Sequence, residues 1–280
     1  MGLIEEIFDK TCEVMLSVPG IFDISLENPP LLVSARAGLY YVNFRVLPSF
    51  PEYYNKQISN LVKRIKAEEF KKIDKVFSTE TTGIYFGCRV APELGVGYVT
   101  VLKEEKLYGK GGNIHGVINQ GEYAIGVDDM VTTKGTLIKA VNTIRKYGAE
   151  VETCFVNFDR RESEEKTDFN TIALAWMDEK FLEKVKATGR FNQRQIEELE
   201  KYIYNPLKWS LEWGLNHPEW IKTQLKKSVE EGVLKDKKII NYMTQTHPEL
   251  LNKYKDEMKK WLLELGVKQE VPEIGYEPEI

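Results

Sequence analysis

Tyr123-Ala-Ile-Gly-Val-Asp128-Asp129-Met-Val-Thr132-Thr133-Lys134-Gly135-Thr136 is the stretch from which the rest of the chain can be read. Its first part, Tyr123–Val127, is a short apolar run of the kind that forms a strand buried on both faces, and two adjacent acids close it. Hydroxyl residues, a lysine and a glycine then make a turn. From Gly135 to Tyr147 the pattern predicts an amphipathic helix: Leu137, Val141 and Ile144 recur at i, i+4 and i+7, and Gly148 stands where a C-cap is expected. Val151–Phe158 supplies the next strand. A strand, a turn, a helix and another strand form a βαβ unit, which requires parallel strands. Upstream, Ile73–Thr79 and Val96–Leu102 extend the sheet. The expected fold class is α/β with a parallel sheet.

The same stretch suggests chemistry. In open parallel sheets, ligands bind beyond the carboxyl ends of the strands. Backbone N–H groups and hydroxyls at a helix N-terminus suit a phosphate, and adjacent carboxylates suit ribose hydroxyls or a Mg²⁺ bound to them. A ribose 5-phosphate fits both halves. A solvated Asp-Asp turn before an ordinary helix would show the same residues, so the flanking segments have to decide.

They favour the ligand. The stretch resembles the phosphoribosyl-diphosphate (PRPP) signature of the type I phosphoribosyltransferases. Lys103-Glu-Glu-Lys106-Leu-Tyr-Gly109-Lys-Gly-Gly112-Asn113 is similar to the flexible catalytic loop of the orotate phosphoribosyltransferase family. Phe158-Asp159-Arg160-Arg161-Glu162 resembles the Asp-Arg-Gln-Glu segment of that family, and Tyr40-Tyr41-Val-Asn43 its aromatic hood strand. The resemblance covers roughly residues 10–185 and implies a parallel-sheet phosphoribosyltransferase domain over 1–185 with a small N-terminal hood. Asp128 and Asp129 would hold the ribose hydroxyls, one of them through PRPP-bound Mg²⁺. Thr132, Thr133, Lys134, Gly135 and Thr136 would cradle the 5-phosphate. Lys103 and Lys106 would meet the pyrophosphate, with Lys106, Asp128 and Asp129 catalytic, and Gly109 would bind substrate from the glycine-rich closing loop. His115 and Tyr41 are further substrate-contact candidates, and Arg160 would pair with the orotate carboxylate. The resemblance also implies a homodimer in which loop 102–113 acts across subunits.

Four positions depart from that pattern: Val33 and Thr82 where lysines are common, Leu102 where the loop usually begins with Arg, and Lys134 in place of a phosphate-loop Gly. They leave two further readings open: a phosphoribosyltransferase for another base, and a PRPP- or nucleotide-sensing regulator without activity.

Beyond about residue 178 the pattern is helical only. Pro206, Pro218 and Pro248 each stand at a first helical position, Gly232 and Gly266 read as stops, and Val267–Ile280 reads as an extended tail. Four of the five tryptophans fall after residue 200, beside Tyr202, Tyr204, Tyr242 and several lysines. Such aromatics read more simply as the core of a helical domain, 186–280, than as a base-stacking surface. His217 and His247, each preceding a proline, read as helix-entry residues.

Composition sets the outer limits. With 280 residues, 42% of them hydrophobic and 29% charged, the chain has a globular mix, and no apolar run approaches a membrane span. The net charge of −4 argues against a protein built to grip nucleic acid. Cys12, Cys88 and Cys154 are scattered and have no metal-ligand spacing. With no leader-like N-terminus, the expected location is the cytoplasm.

Overall fold

The computed structural model describes residues 2–32, 35–68, 71–106, 112–162, 166–230 and 238–265. Side chains of 104–106, 238 and 240 are outside that description, as are Val33, Gly109, Gly232, Gly266 and the tail. The chain divides into two compact units. One comprises Met1–Asp23 with Val42–Arg190, and the other Ile24–Tyr41 with the chain from Phe191 onward.

In chain order the first unit contains α1 (Leu3–Ser17), α2 (Pro51–Glu68), α3 (Gly83–Leu94), α4 (Gly135–Lys146) and α5 (Glu179–Ala187). Two three-residue strands, β1 (Phe22–Ile24) and β2 (Tyr40–Val42), form a small sheet where the chain passes between the units. The main sheet contains β3 (Lys75–Thr79), β4 (Gly97–Lys106), β5 (Gly112–His115), β6 (Ala124–Val131), β7 (Thr153–Asp159) and β8 (Asn170–Trp176). Its order is β5-β4-β3-β6-β7-β8. All neighbours are parallel except β4 and β5, which form an antiparallel hairpin. The parallel α/β expectation holds.

One boundary is corrected. Asp128 and Asp129 do not end their strand; β6 continues to Val131, which pairs with Asp159 of β7. The ladder supplies backbone partners that the local sequence cannot reveal, so the acids lie inside the sheet. The apolar stripe on α4 behaves as its spacing predicts: Leu137, Ala140, Val141 and Ile144 pack on Phe77, Val99, Ala124 and Cys154. Elsewhere α3 packs on β3 and β6, α2 on α3, and α1 on α2 and β8.

The second unit is helical after Phe191: α6 (Gln193–Tyr204), α7 (Pro206–Asn216), α8 (Pro218–Glu230), α9 (Lys238–Asn241) and α10 (Pro248–Glu264). Pro206, Pro218 and Pro248 open their helices as the sequence predicts. Trp209, Trp213, Trp220 and Trp261 are buried, as core residues. The segment read as part of a hood is stitched into these helices. The Ser210 hydroxyl accepts from the Ala37 N–H at 3.0 Å, the Trp220 indole donates to the Pro29 carbonyl at 2.9 Å, and Tyr40 meets Tyr202 edge-on. No described helix is long and apolar enough to cross a membrane.

Candidate active site

Two strand-to-helix turns lie close together at the carboxyl ends of β3 and β6. The first, Thr79-Glu80-Thr81-Thr82, leads into α3 at Gly83; the second, Thr132-Thr133-Lys134, leads into α4 at Gly135. Side chains from both turns and their strands converge on Asp128. Its carboxylate accepts from the Thr79 hydroxyl at 2.6 Å and from the Asp129 N–H at 3.0 Å. Gly83 packs against it so closely that an ideal Cβ there would lie 2.3 Å from Oδ1. Arg45 donates from Nε to the Thr82 hydroxyl at 3.2 Å, and its charge also acts on Asp129.

Burial raises the pKa of Asp128 well above the ordinary carboxylate value, and the neighbouring Asp129 charge raises it further; the bonds from Thr79 and the Asp129 N–H act against them. Asp129 is also raised by burial, against the Met130 backbone N–H and Arg45. Two carboxylates held this way need a cation or hydroxyl donors to balance their charge. Among the described residues, no three His, Cys, Asp or Glu side chains cluster to hold a metal alone. Two acids and a hydroxyl suit a hard cation that arrives with oxygens from its own ligand.

The second turn carries Lys134 and an unusual backbone. Lys134 is the N-cap of α4 at φ 59°, ψ −7°, in the left-handed region. That conformation costs a non-glycine residue on the order of 1 kcal/mol. The Lys134 side chain makes no capping hydrogen bond to α4, and the first N–H groups of a helix are where an anion can bind. Thr132 and Thr133 are half-buried in this turn and Thr136 is exposed.

Beside the two turns is a cavity of about 520 Å³ bounded by Thr79, Glu80, Lys103, Asn113, Thr136 and Lys139, among others. The structure thus brings Lys103 and Thr136 together with Thr79, which holds Asp128. Lys103 is exposed, with its backbone N–H donating to Glu80 at 3.0 Å. Lys106 ends β4 opposite Gly112, and its side chain is outside the description. His115 is exposed at the end of β5, opposite Thr100. Tyr41 is exposed and belongs to the second unit. Leu102, one of the departures, is buried.

Arg160 is committed differently from the expectation. Its side chain is 1% exposed and paired with Glu162, itself 0% exposed, at 2.8 Å. Its backbone N–H donates to Val131, which ties the turn after β7 to the end of β6. In this arrangement the guanidinium is a structural partner of Glu162, and contact with a substrate carboxylate would require that pair to open.

Thr79, Gly83 and Arg45 were not singled out by the sequence reading. A signal existed for two of them. Phe77-Ser-Thr79-Glu-Thr-Thr82-Gly83 is a second hydroxyl-rich turn between strand and helix, with the same grammar as the first.

Residues 52–181 match the family model described as phosphoribosyl transferase domain. Over these residues the chain is similar to a phosphoribosyl transferase domain, and its fold is that of the type I phosphoribosyltransferases. Among its relatives is the orotate phosphoribosyltransferase of Dinoroseobacter shibae, 28% identical over 207 residues, covering 71% of this chain and 90% of the relative. The orotate phosphoribosyltransferase of Pyrococcus furiosus is 29% identical over 155 residues, covering 54% and 85%. In fold, the chain is similar to the orotate phosphoribosyltransferase of Aeropyrum pernix, with a TM-score of 0.52 and 21% identity over 66% of this chain and 99% of that one. It is also similar to Leishmania donovani UMP synthase, with a TM-score of 0.57 and 16% identity; there the match covers 72% of this chain but only 42% of the other.

Proposed function

We propose that the chain transfers ribose 5-phosphate from PRPP to orotate, forming orotidine 5′-monophosphate and pyrophosphate, a step of pyrimidine nucleotide synthesis. The observation that carries this reading is the Asp128–Asp129 pair, with Asp128 buried and held by Thr79, just ahead of a helix N-terminus that the Lys134 side chain does not cap. The names of the relatives favour orotate as the acceptor. In the reaction the C1′–oxygen bond to diphosphate breaks, a C1′–nitrogen bond to the base forms, and the attacking nitrogen loses its proton.

Each group on the chain has a part in this. Asp128 and Asp129 orient the ribose through its hydroxyls, and Thr132 to Thr136 hold the 5-phosphate at the α4 N-terminus. Lys103 and Lys106 face the charge that grows on the departing diphosphate, a contribution made mainly in the transition state. Mg²⁺ bound to PRPP would neutralise diphosphate charge and balance the acidic pair. The segment 102–113, which runs from the end of β4 to the start of β5 with 107–111 outside the described residues, is assigned to closing the site from the neighbouring subunit of a homodimer in the cytoplasm. The phosphoribosyltransferase domain is assigned to 1–185 apart from Ile24–Tyr41, which groups with the helical domain assigned to 186–280.

A second reading also has support. Thr82 is engaged by Arg45, Leu102 is buried, and Arg160 is paired with Glu162, so three positions associated with substrate contact are otherwise occupied. A PRPP-binding regulator would tolerate this. Incubation with Mg²⁺-PRPP and orotate, uracil or adenine, followed by pyrophosphate release, tests the assignment. Release with orotate alone supports the transferase. Release with another base moves the specificity, and PRPP binding without release from any base indicates the regulator.

A further inference from the structure

Strand β7 contains a residue its surroundings do not favour. Between Cys154-Phe155-Val156 and Phe158, all fully buried, stands Asn157, also 0% exposed. Asparagine is a poor strand former, and burying its amide in a central strand costs stability unless its polar atoms are satisfied. Conflicts between local preference and position concentrate at functional sites.

The partners of Asn157 lead to the acidic pair. Its Nδ2 donates to the backbone carbonyl of Asp128 at 3.3 Å, reaching across from the neighbouring strand, where Val156 is the register partner of Asp128. Its Oδ1 accepts from Nε2 of Gln57 at 2.8 Å. Gln57 lies on α2 among Tyr54, Ile58, Leu61 and Ile65 and is likewise 0% exposed. It also approaches the Thr11 hydroxyl of α1 at 3.5 Å, while its own Oε1 is buried with no hydrogen-bond partner among the described residues. Two fully buried amides with one unmatched acceptor are a poor way to stabilise a core. They are an effective way to hold one carbonyl in place from a helix packed behind the sheet.

We propose that Asn157 and Gln57 are positioning residues that fix the backbone of Asp128, and through it the orientation of both carboxylates toward a ribose. This rests on the PRPP reading above. Thr79 holds the Asp128 carboxylate from β3, Gly83 leaves Oδ1 the space that a Cβ would take, and the Asn157–Gln57 relay holds its main chain from β7 and α2. Both relay side chains are fully buried, so they act through Asp128 from inside the core.

The full-length protein tests this with the pair Gln57→Leu and Asn157→Leu, alone and together. Replacing both partners with apolar groups of similar size removes the buried amides without orphaning either one. The double variant is expected to melt at or above the parent temperature, yet to bind Mg²⁺-PRPP about tenfold more weakly, the scale of a lost hydrogen bond. Gln57→Leu alone orphans Asn157 and should melt lower than the double variant, a non-additive signature. In turnover assays the double variant should raise KM for PRPP more than it lowers kcat. A double variant that is less stable while binding PRPP like the parent would make the relay purely structural and overturn the proposal. If the parent itself does not bind PRPP, the functional reading fails on its own. The backbone chemical shifts of Asp128 and Asp129, followed by NMR in the unliganded protein, then decide. Shifts unchanged in the double variant overturn the positioning role, and displaced shifts support it.

Discussion

Gly83→Ala adds one methyl group at the point where α3 meets the acidic pair. The backbone there is not left-handed, so an alanine faces no conformational penalty, and as a helix residue it gains up to about 1 kcal/mol over glycine. The cost is steric. The new Cβ would stand 2.3 Å from Oδ1 of Asp128, 3.1 Å from its Cγ and 3.2 Å from Cβ of Ser78. The carboxylate cannot swing freely, because Thr79 and the Asp129 N–H hold it and it is buried. Overpacking a tight core costs about 1–3 kcal/mol. Displacing the carboxylate from a hydrogen bond to a charged group costs a further 1.5–3 kcal/mol or so. After the helix gain, the net loss is about 2–5 kcal/mol; at the middle of that range, a unit of this size melts roughly 7–14 °C lower. Thermal melts followed by calorimetric titration with Mg²⁺-PRPP would measure both effects. Lower stability together with PRPP affinity reduced at least tenfold is expected, since the displaced oxygen belongs to the binding pair. An alanine variant with parent stability and parent affinity would show that Asp128 is neither confined by Gly83 nor part of the PRPP site, and would refute the reasoning.

Three further outcomes follow from charges in the core. Asp128 has a folded pKa raised above its unfolded value, so its contribution to stability is present below the ordinary carboxylate range and lost as pH rises through the folded value. Asp128→Asn should therefore melt no lower than the parent at pH 7 while losing PRPP binding; a large drop in melting temperature, or intact binding, would contradict this. Arg160→Ala strips the partner from a fully buried carboxylate and should cost about 3–5 kcal/mol in urea unfolding, with most of the loss recovered in Arg160→Met/Glu162→Gln. A loss below about 1 kcal/mol would indicate that the pair is open in solution. His247, bonded to Ser210 at 3.0 Å, has its pKa lowered by burial to about 4, so its share of the helical unit's stability is present above its ordinary 6.5 and lost as pH falls through 4. His247→Gln should flatten that part of the acid unfolding profile, and an unchanged profile would place the proton elsewhere.

The sequence by itself determined the central βαβ unit, because its signals are local. An apolar run, a hydroxyl-rich turn and the 3.6-residue spacing of Leu137, Val141 and Ile144 each lie within one element, so strand, phosphate-type turn and helix could be read without knowing what they touch. The prolines that open α7, α8 and α10 were legible for the same reason. Tertiary structure decided everything that depends on a partner distant in sequence. Only the β6–β7 ladder carries the strand through Asp128 to Val131. Only the fold brings Thr79 and Gly83 against Asp128, some 45 or more residues away, and ties Ala37 to Ser210 so that Ile24–Tyr41 belongs with the C-terminal helices. Arg160 shows the limit most plainly. Its place after β7 suggested a residue open to a substrate, but a guanidinium taken out of water must be paired, and the turn places Glu162 two residues on where it meets that need. Propensity and periodicity act along the chain, whereas burial and charge pairing act across it, and the electrostatics of this site are set by the second.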